Sequence, residues 1–334
     1  VKSYTTLIKG ARLVVETCFA VKAGDAVLVI CDEDHRREAE AIAGVAVSLG
    51  AYPVVADISH HVSSALASMK VPMEPAKNLA AAMEASDVII ITTNLEWANR
   101  FAHVNPVAAS VSKGAKIGSV EEGMADWDLT KEEIDQTVAR AEKLMSALEG
   151  VEWVRVTNPA GTDVKVCIKD RPPLKVVPIK GAGEMMGPVP LWGEVAYAAV
   201  EDKTEGVIVV DGIMLGVGVF GSLKDTITWV IKDGRAVEIS GGAEADRLRT
   251  VVAGSDANAN VVAEFAMGTS TKSPRGSASE KGLLGTVHFA LGDNSHCYPG
   301  GCSHSSLHLD GNLLNVTVET GDGRVLIKDG ELVI

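Results

Sequence analysis

The chain has 334 residues, 46% of them hydrophobic and 4% aromatic, with a formal net charge of -13. That length suits two domains whose cores are built from Val, Ile, Leu and Ala rather than rings. The acidic balance argues against a nucleic-acid or anionic-membrane partner, since both want Lys and Arg, and it is compatible with a cationic or metal-bound one.

No apolar run reaches the length of a membrane span, and no basic-then-apolar leader opens the chain. The five cysteines (Cys18, Cys31, Cys167, Cys297 and Cys302) are scattered, with no CxxC among them. Neither a disulfide framework nor a cysteine-zinc module is expected; Cys297 and Cys302 are read as small buried residues. The expected location is cytoplasmic.

Taken in order, Thr5 to Val21 repeats apolar residues at helical spacing. Ala26 to Cys31 is a continuous apolar run of strand length, as in a parallel strand covered on both faces. Asp32 to Leu49 reads as a helix ended by Gly50. Strands follow at Pro53–Asp57, Asp87–Thr92 and Ala115–Val120, with a helix at Pro75–Ala85 between the first two. This alternation predicts an α/β layer on a mostly parallel sheet. No glycine-rich phosphate loop follows any strand, so a nucleotide is not expected. His60-His61 reads as a loop pair rather than a metal site.

A long helix is expected from Trp127 to Leu148, with Thr130 and Glu133 as a capping box and Gly150 as its stop. The pattern then changes, which sets domains at 1–149 and 150–334. The second domain is β-rich. Val164–Ile168 alternates, Gly206–Asp211 is a strand, and Asp233-Gly234 and Asp329-Gly330 mark hairpin turns. One short helix runs from Ala243 to Val252. The fold class is thus α/β plus α+β: a parallel-sheet domain followed by a β-rich one.

The chemistry concentrates near the C-terminus. Four of eight histidines (His288, His296, His304, His308) fall between Gly285 and Asp310. On a strand, His308 and Asp310 point to one face, and His288 precedes a glycine-rich connection able to bring it back beside them. Two histidines and a carboxylate suit zinc, iron, cobalt or manganese. Glu194 and Glu264 stand in apolar or Pro/Gly-punctuated surroundings. From spacing alone each reads equally as a ligand or as an ordinary polar residue. If both join, five ligands suit two divalent ions bridged by a carboxylate.

These segments resemble the aminopeptidase T-like metallopeptidases: Gly193-Glu194-Val195, Thr204 to Gly212, Asn260 to Thr269, Glu280 to Gly292 and His308-Leu309-Asp310-Gly311, with Asn158 to Asp163 as a short Gly-Thr-Asp element. The resemblance implies a C-terminal domain with a two-metal site of Glu194, Glu264, His288, His308 and Asp310. Glu264 would be the bridge and Tyr298 the catalytic donor to an oxyanion, usually in a homodimer. It implies removal of N-terminal residues from a small peptide with zinc, cobalt or manganese, two ions per chain. The same scaffold resembles a non-haem iron dioxygenase that opens dihydroxypyridine rings, where His288, His308 and Asp310 would hold one iron and a small molecule would be the substrate.

Overall fold

A computed structural model of the chain describes residues 3–60, 74–93, 104–184, 187–218 and 221–334. They fall into two units: one of residues up to Gln136 with Val177–Leu191, the other of Thr137–Val176 with Trp192–Ile334. The single boundary expected at Gly150 becomes three crossings, the first inside the long helix. That helix serves both units: Ile134 packs in the first unit's core, while the residues from Thr137 onward belong to the second.

In the first unit, helix α1 (Tyr4–Arg12) continues as a π-helix over Leu13–Cys18. Strand β1 (Ala26–Cys31), helix α2 (Arg36–Ser48), β2 (Tyr52–Asp57), helix α3 (Lys77–Glu84), β3 (Val88–Thr92), helix α4 (Asn105–Ser112) and β4 (Lys116–Val120) follow. Helix α2 starts four residues later than expected, because Asp32 accepts the His35 N–H (3.1 Å) and closes a turn first. The strands lie parallel in the order β2-β1-β3-β4, and the two-residue strand β8 (Pro188–Val189) adds in parallel beside β4. The apolar runs are explained by two cores. Val27, Val29, Val88 and Ile90 pack in one with α1 and α2; Leu28, Ile30, Ile89 and Ile91 pack in the other with α3 and α4. His60 follows β2 and is exposed; His61 lies outside the described residues.

Helix α5 (Lys131–Ala147) begins after the Thr130–Glu133 capping box. Glu133 Oε2 accepts the Thr130 N–H at 2.8 Å, and Thr130 Oγ1 accepts the Glu133 N–H at 3.3 Å. It starts at Lys131 rather than Trp127, whose indole N–H is donated to the Glu122 carbonyl instead (3.0 Å).

The second unit carries two antiparallel sheets. The larger holds β5 (Trp153–Thr157), β6 (Asp163–Cys167), β10 (Glu205–Val210), β11 (Ile227–Lys232), β12 (Arg235–Gly241), β16 (Thr317–Thr320), β17 (Val325–Lys328) and β18 (Glu331–Leu332). Its hairpins turn at Asp233-Gly234 (φ 48° and 69°) and Asp329-Gly330 (φ 49° and 83°), both left-handed at both positions as a type I′ turn demands. Helix α6 (Ala243–Ala253) follows β12.

The smaller sheet orders β15 (His308–Leu313), β14 (Val287–Gly292), β13 (Val262–Gly268), β9 (Glu194–Ala198) and β7 (Leu174–Val176). Its rear carries Phe265, Met267, Phe289, Leu291, Leu309 and Leu313, all buried. Gly311 belongs to that rear row; a Cβ there would press on Val210 and Trp229 of the larger sheet. The two sheets therefore pack face to face.

Candidate metal centre

The front of the smaller sheet is assembled by register. Asp310 pairs across with Ala290, Ala290 with Glu264, and Glu264 with Ala198. The next row runs Asn312, His288, Ala266 and Ala196. Glu194 faces Gly268, and His308 faces Gly292. Because alternate residues share a face, Glu194, Glu264, His288, His308 and Asp310 all project from the same side. The residues between them are alanine and glycine. These small side chains leave the space that the long polar ones enter, so patterning rather than any loop brings the five together. Two covering segments approach closely: a Cβ on Gly268 would collide with the Leu283 carbonyl, and one on Gly292 (φ 114°) with that of Leu307.

All five side chains are buried, Asp310 completely and Glu264 and His288 to 1% exposure. Glu264 is central. Its two oxygens lie 3.3 Å from His288 Nε2 and 3.1 Å from His308 Nε2. Glu194 is 3.7 Å from His288 Nε2, and Asp310 is 3.1 Å from His308 Nε2. His308 Nδ1 donates to the backbone carbonyl of Asp293 at 2.7 Å, which leaves Nε2 as the nitrogen that faces the carboxylates. The Tyr298 hydroxyl lies 3.1 Å from that Nε2, and the phenol ring stacks on the imidazole with centroids 5.3 Å apart. Tyr298 also packs against Ala196, Ala198 and Ala266.

A buried ammonium completes the cluster. Lys281, in a single 3-10 turn (Ala278–Gly282), bonds to Asp310 Oδ2 and sits 4.9 Å over the Trp192 ring. Sequence reasoning missed it: one Lys beside one Glu in a short non-periodic segment carries no pattern signal.

The electrostatics follow from crowding and burial. Burial pushes Glu194 up to about 7, against the pull of His288. Burial acts the same way on Glu264, but the charge of His288 and the contact with His308 outweigh it and hold Glu264 down at about 2. Asp310 is driven well below the usual carboxylate range, the neighbouring Lys281 and His308 overcoming its burial. Lys281 is buried yet raised, because Asp310, Glu194 and Glu264 surround it. Burial, reinforced by Glu264 and Asp310, raises Tyr298 well above 10, so it is a neutral phenol at ordinary pH.

Two overlapping sets of potential ligands result, Glu194–Glu264–His288 and Glu264–His308–Asp310, the donor atoms of each within 4.8 Å of one another. The fit to a cation is tested by what the protein leaves unsatisfied. Glu194 Oε2, Glu264 Oε1 and Asp310 Oδ1 are buried oxygens without a hydrogen-bond donor. Buried carboxylate oxygens in that state are costly unless a cation meets them. Oxygen and imidazole donors together suit iron, manganese, cobalt or zinc.

The remaining candidates go elsewhere. His296 pairs with the Asp293 side chain (2.9 Å), and His304 with Ser295 (2.7 Å). Cys297 is half-buried and Cys302 exposed, so the expectation that both are buried fails; Cys302 lies on the outward loop, where its N–H is donated to Glu201 (2.9 Å). Neither belongs to a ligand set. The Gly-Thr-Asp element is structural. Thr162 Oγ1 accepts the Val209 N–H at 2.9 Å, and Asp163 pairs with Arg155.

A family model described as NicX: 2,5-dihydroxypyridine 5,6-dioxygenase matches residues 6–334. No curated protein matches the chain. Among solved structures, 2,5-dihydroxypyridine dioxygenase from Pseudomonas putida KT2440 is 19% identical, with a TM-score of 0.80 over 100% of this chain and 98% of that one. Wild-type AmpT from Thermus thermophilus is 16% identical, with a TM-score of 0.71 over 99% of each chain. At such identities both show a shared fold. The expected likeness to aminopeptidase T therefore holds for the architecture, while the family match falls on the dioxygenase side. No helix among the described residues is long and apolar enough to cross a membrane.

Proposed function

The chain belongs to the NicX 2,5-dihydroxypyridine 5,6-dioxygenase family, and from that premise we propose that it is an iron-dependent dioxygenase that opens a dihydroxylated pyridine-type ring. The observation that carries this reading is that one carboxylate, Glu264, lies within 3.3 Å of both His288 Nε2 and His308 Nε2. Each of the two ligand sets that share Glu264 joins one imidazole to two carboxylates, a mixed donor set that leaves positions on an iron open for dioxygen and substrate. Asp310 and Glu194 would be the further ligands or their close neighbours. A ferrous ion bound there would supply the redox chemistry by which both atoms of dioxygen add across one ring bond as it breaks.

The protein's own groups have separate tasks. The Asp293 carbonyl fixes the His308 tautomer. Tyr298 lies over the alanine rows and is held beside His308. Tyr298 keeps its proton and can donate a hydrogen bond to a ring oxygen that gains negative charge. Burial of the cluster keeps bulk water away from the reacting ring.

The test is oxygen uptake by protein reconstituted with ferrous iron, on 2,5-dihydroxypyridine and its positional isomers. One dioxygen consumed per ring, with loss of the ring absorbance, is expected. Iron-loaded, folded protein that consumes no oxygen with any of them overturns the reading.

A second reading is favoured by the sharing of Glu264 between two ligand sets. Two zinc, cobalt or manganese ions bridged by Glu264 would activate a water for hydrolysis of amino-acid amides or short peptides, with Tyr298 donating to the oxyanion. Two ions per chain and metal-dependent amide hydrolysis would support it over the first.

A further inference from the structure

We propose that Lys281 acts as a built-in cation that restricts the centre to one divalent ion. The inference rests on the metal-centre reading above and concerns how many ions that centre accepts.

Three carboxylates, Glu194, Glu264 and Asp310, and one ammonium, Lys281, meet in the buried cluster. Minus three plus one leaves two formal negative charges when both imidazoles are neutral ligands. One divalent ion cancels them. A second would leave two positive charges in a water-poor interior, where unpaired charge is strongly disfavoured.

The geometry points the same way. Asp310 has two oxygens, and the Lys281 ammonium bonds one of them, Oδ2. Oδ1 remains on the His308 side. Asp310 can thus offer an ion a single oxygen, whereas a carboxylate without the lysine could offer both. The ammonium is held from behind: Trp192 lies under it, 4.9 Å from ring centre to nitrogen. Its turn is wedged too, since a Cβ on Gly282 would stand 3.1 Å from both the Gly193 nitrogen and Trp192 Cγ. Lys281 is 3% exposed. The same side chain distinguishes the two ligand sets that share Glu264. It leaves Glu194–Glu264–His288 intact and takes part of the Asp310 end of the other.

The experiment counts ions. Wild type, Lys281→Met, Lys281→Gln and Lys281→Arg are loaded separately with ferrous iron under anaerobic conditions and with zinc, freed of excess metal, and measured by elemental analysis per chain. Circular dichroism and thermal melting check folding. Gln keeps a hydrogen bond to Asp310 and guards against a Met variant that fails to fold. The expected result is one ion in wild type and in Lys281→Arg, and two in the neutral variants. One ion in a folded neutral variant overturns the inference and leaves the metal-centre reading standing. Two ions in wild type overturn it as well. No ion in wild type defeats the metal-centre reading itself, and the inference with it.

Discussion

The central strands of the first unit's parallel sheet and of the smaller antiparallel sheet of the second are both buried on two faces, but they fill the second face differently. In β1 and β3 both alternations are apolar: Val27 and Val29 against one core, Leu28 and Ile30 against the other. In β13, β14 and β15 the rear alternation is Phe265, Phe289 and Leu309, while the front is Glu264, His288 and Asp310 set among alanine and glycine. Burial alone therefore does not separate core from site. What separates them is whether the small residues of a face make room for groups that need each other.

The largest test of that contrast is Glu264→Gln. It keeps size and removes the shared charge, and metal affinity should fall by about 100-fold or more, read by competition with a chromogenic chelator. Unchanged affinity would erase the distinction between the faces. Phe289→Ala, one residue along the same strand but on the rear, should cost about 3–5 kcal/mol in urea unfolding and leave the ion count unaltered. Loss of metal from the folded variant would mean the faces are not separable. Asp310→Ala strands the Lys281 ammonium among fewer partners, so metal-free protein should lose about 3 kcal/mol; a neutral result would show that Lys281 needs no such partner. Ala290→Leu adds volume amid the polar groups and should cost about 1–3 kcal/mol, together with weaker metal binding.

The smallest expected effect lies in the loop that carries Tyr298. Asp256 accepts the Ser306 N–H at 2.7 Å and the Ser305 hydroxyl at 3.0 Å. Burial pushes Asp256 upward, but these bonds prevail and hold it at about 2, below its ordinary 3.8. A lowered carboxyl stabilises above its unfolded value and ceases to as pH falls through its folded one. Acid unfolding between pH 4 and 2 should therefore be shallower in Asp256→Asn, by about 0.5 kcal/mol for so exposed a group. Identical slopes would remove Asp256 as an anchor of the loop.

Much of this was legible in the residues. Strand runs such as Ala26–Cys31, the Thr130–Glu133 cap and both Asp-Gly turns declare themselves through local chemistry, and the structure contains them. Even the site face is written in the chain: Glu194, Ala196, Ala198; Glu264, Ala266, Gly268; His288, Ala290, Gly292. Each triplet alternates with large apolar residues, and the three strands adjoin. Two kinds of feature were not legible. Helix α4 is eight residues long, too short for its period to stand out, with Pro106 near its start. Lys281 and Trp192 meet the cluster through tertiary contact alone, and no spacing rule links them to residues 194, 264 or 310.

The bond from His308 to the Asp293 carbonyl has an evolutionary corollary. Its acceptor is main chain, and the Asp293 side chain is engaged with His296, Ser295 and Ser305 instead. A point substitution at position 293 can therefore alter the outer loop without deleting the acceptor that orients the imidazole. Descendants of this chain could drift at that residue and still inherit the same nitrogen pointing inward, so mutational robustness is set by the path of the backbone and not by the identity of the amino acid.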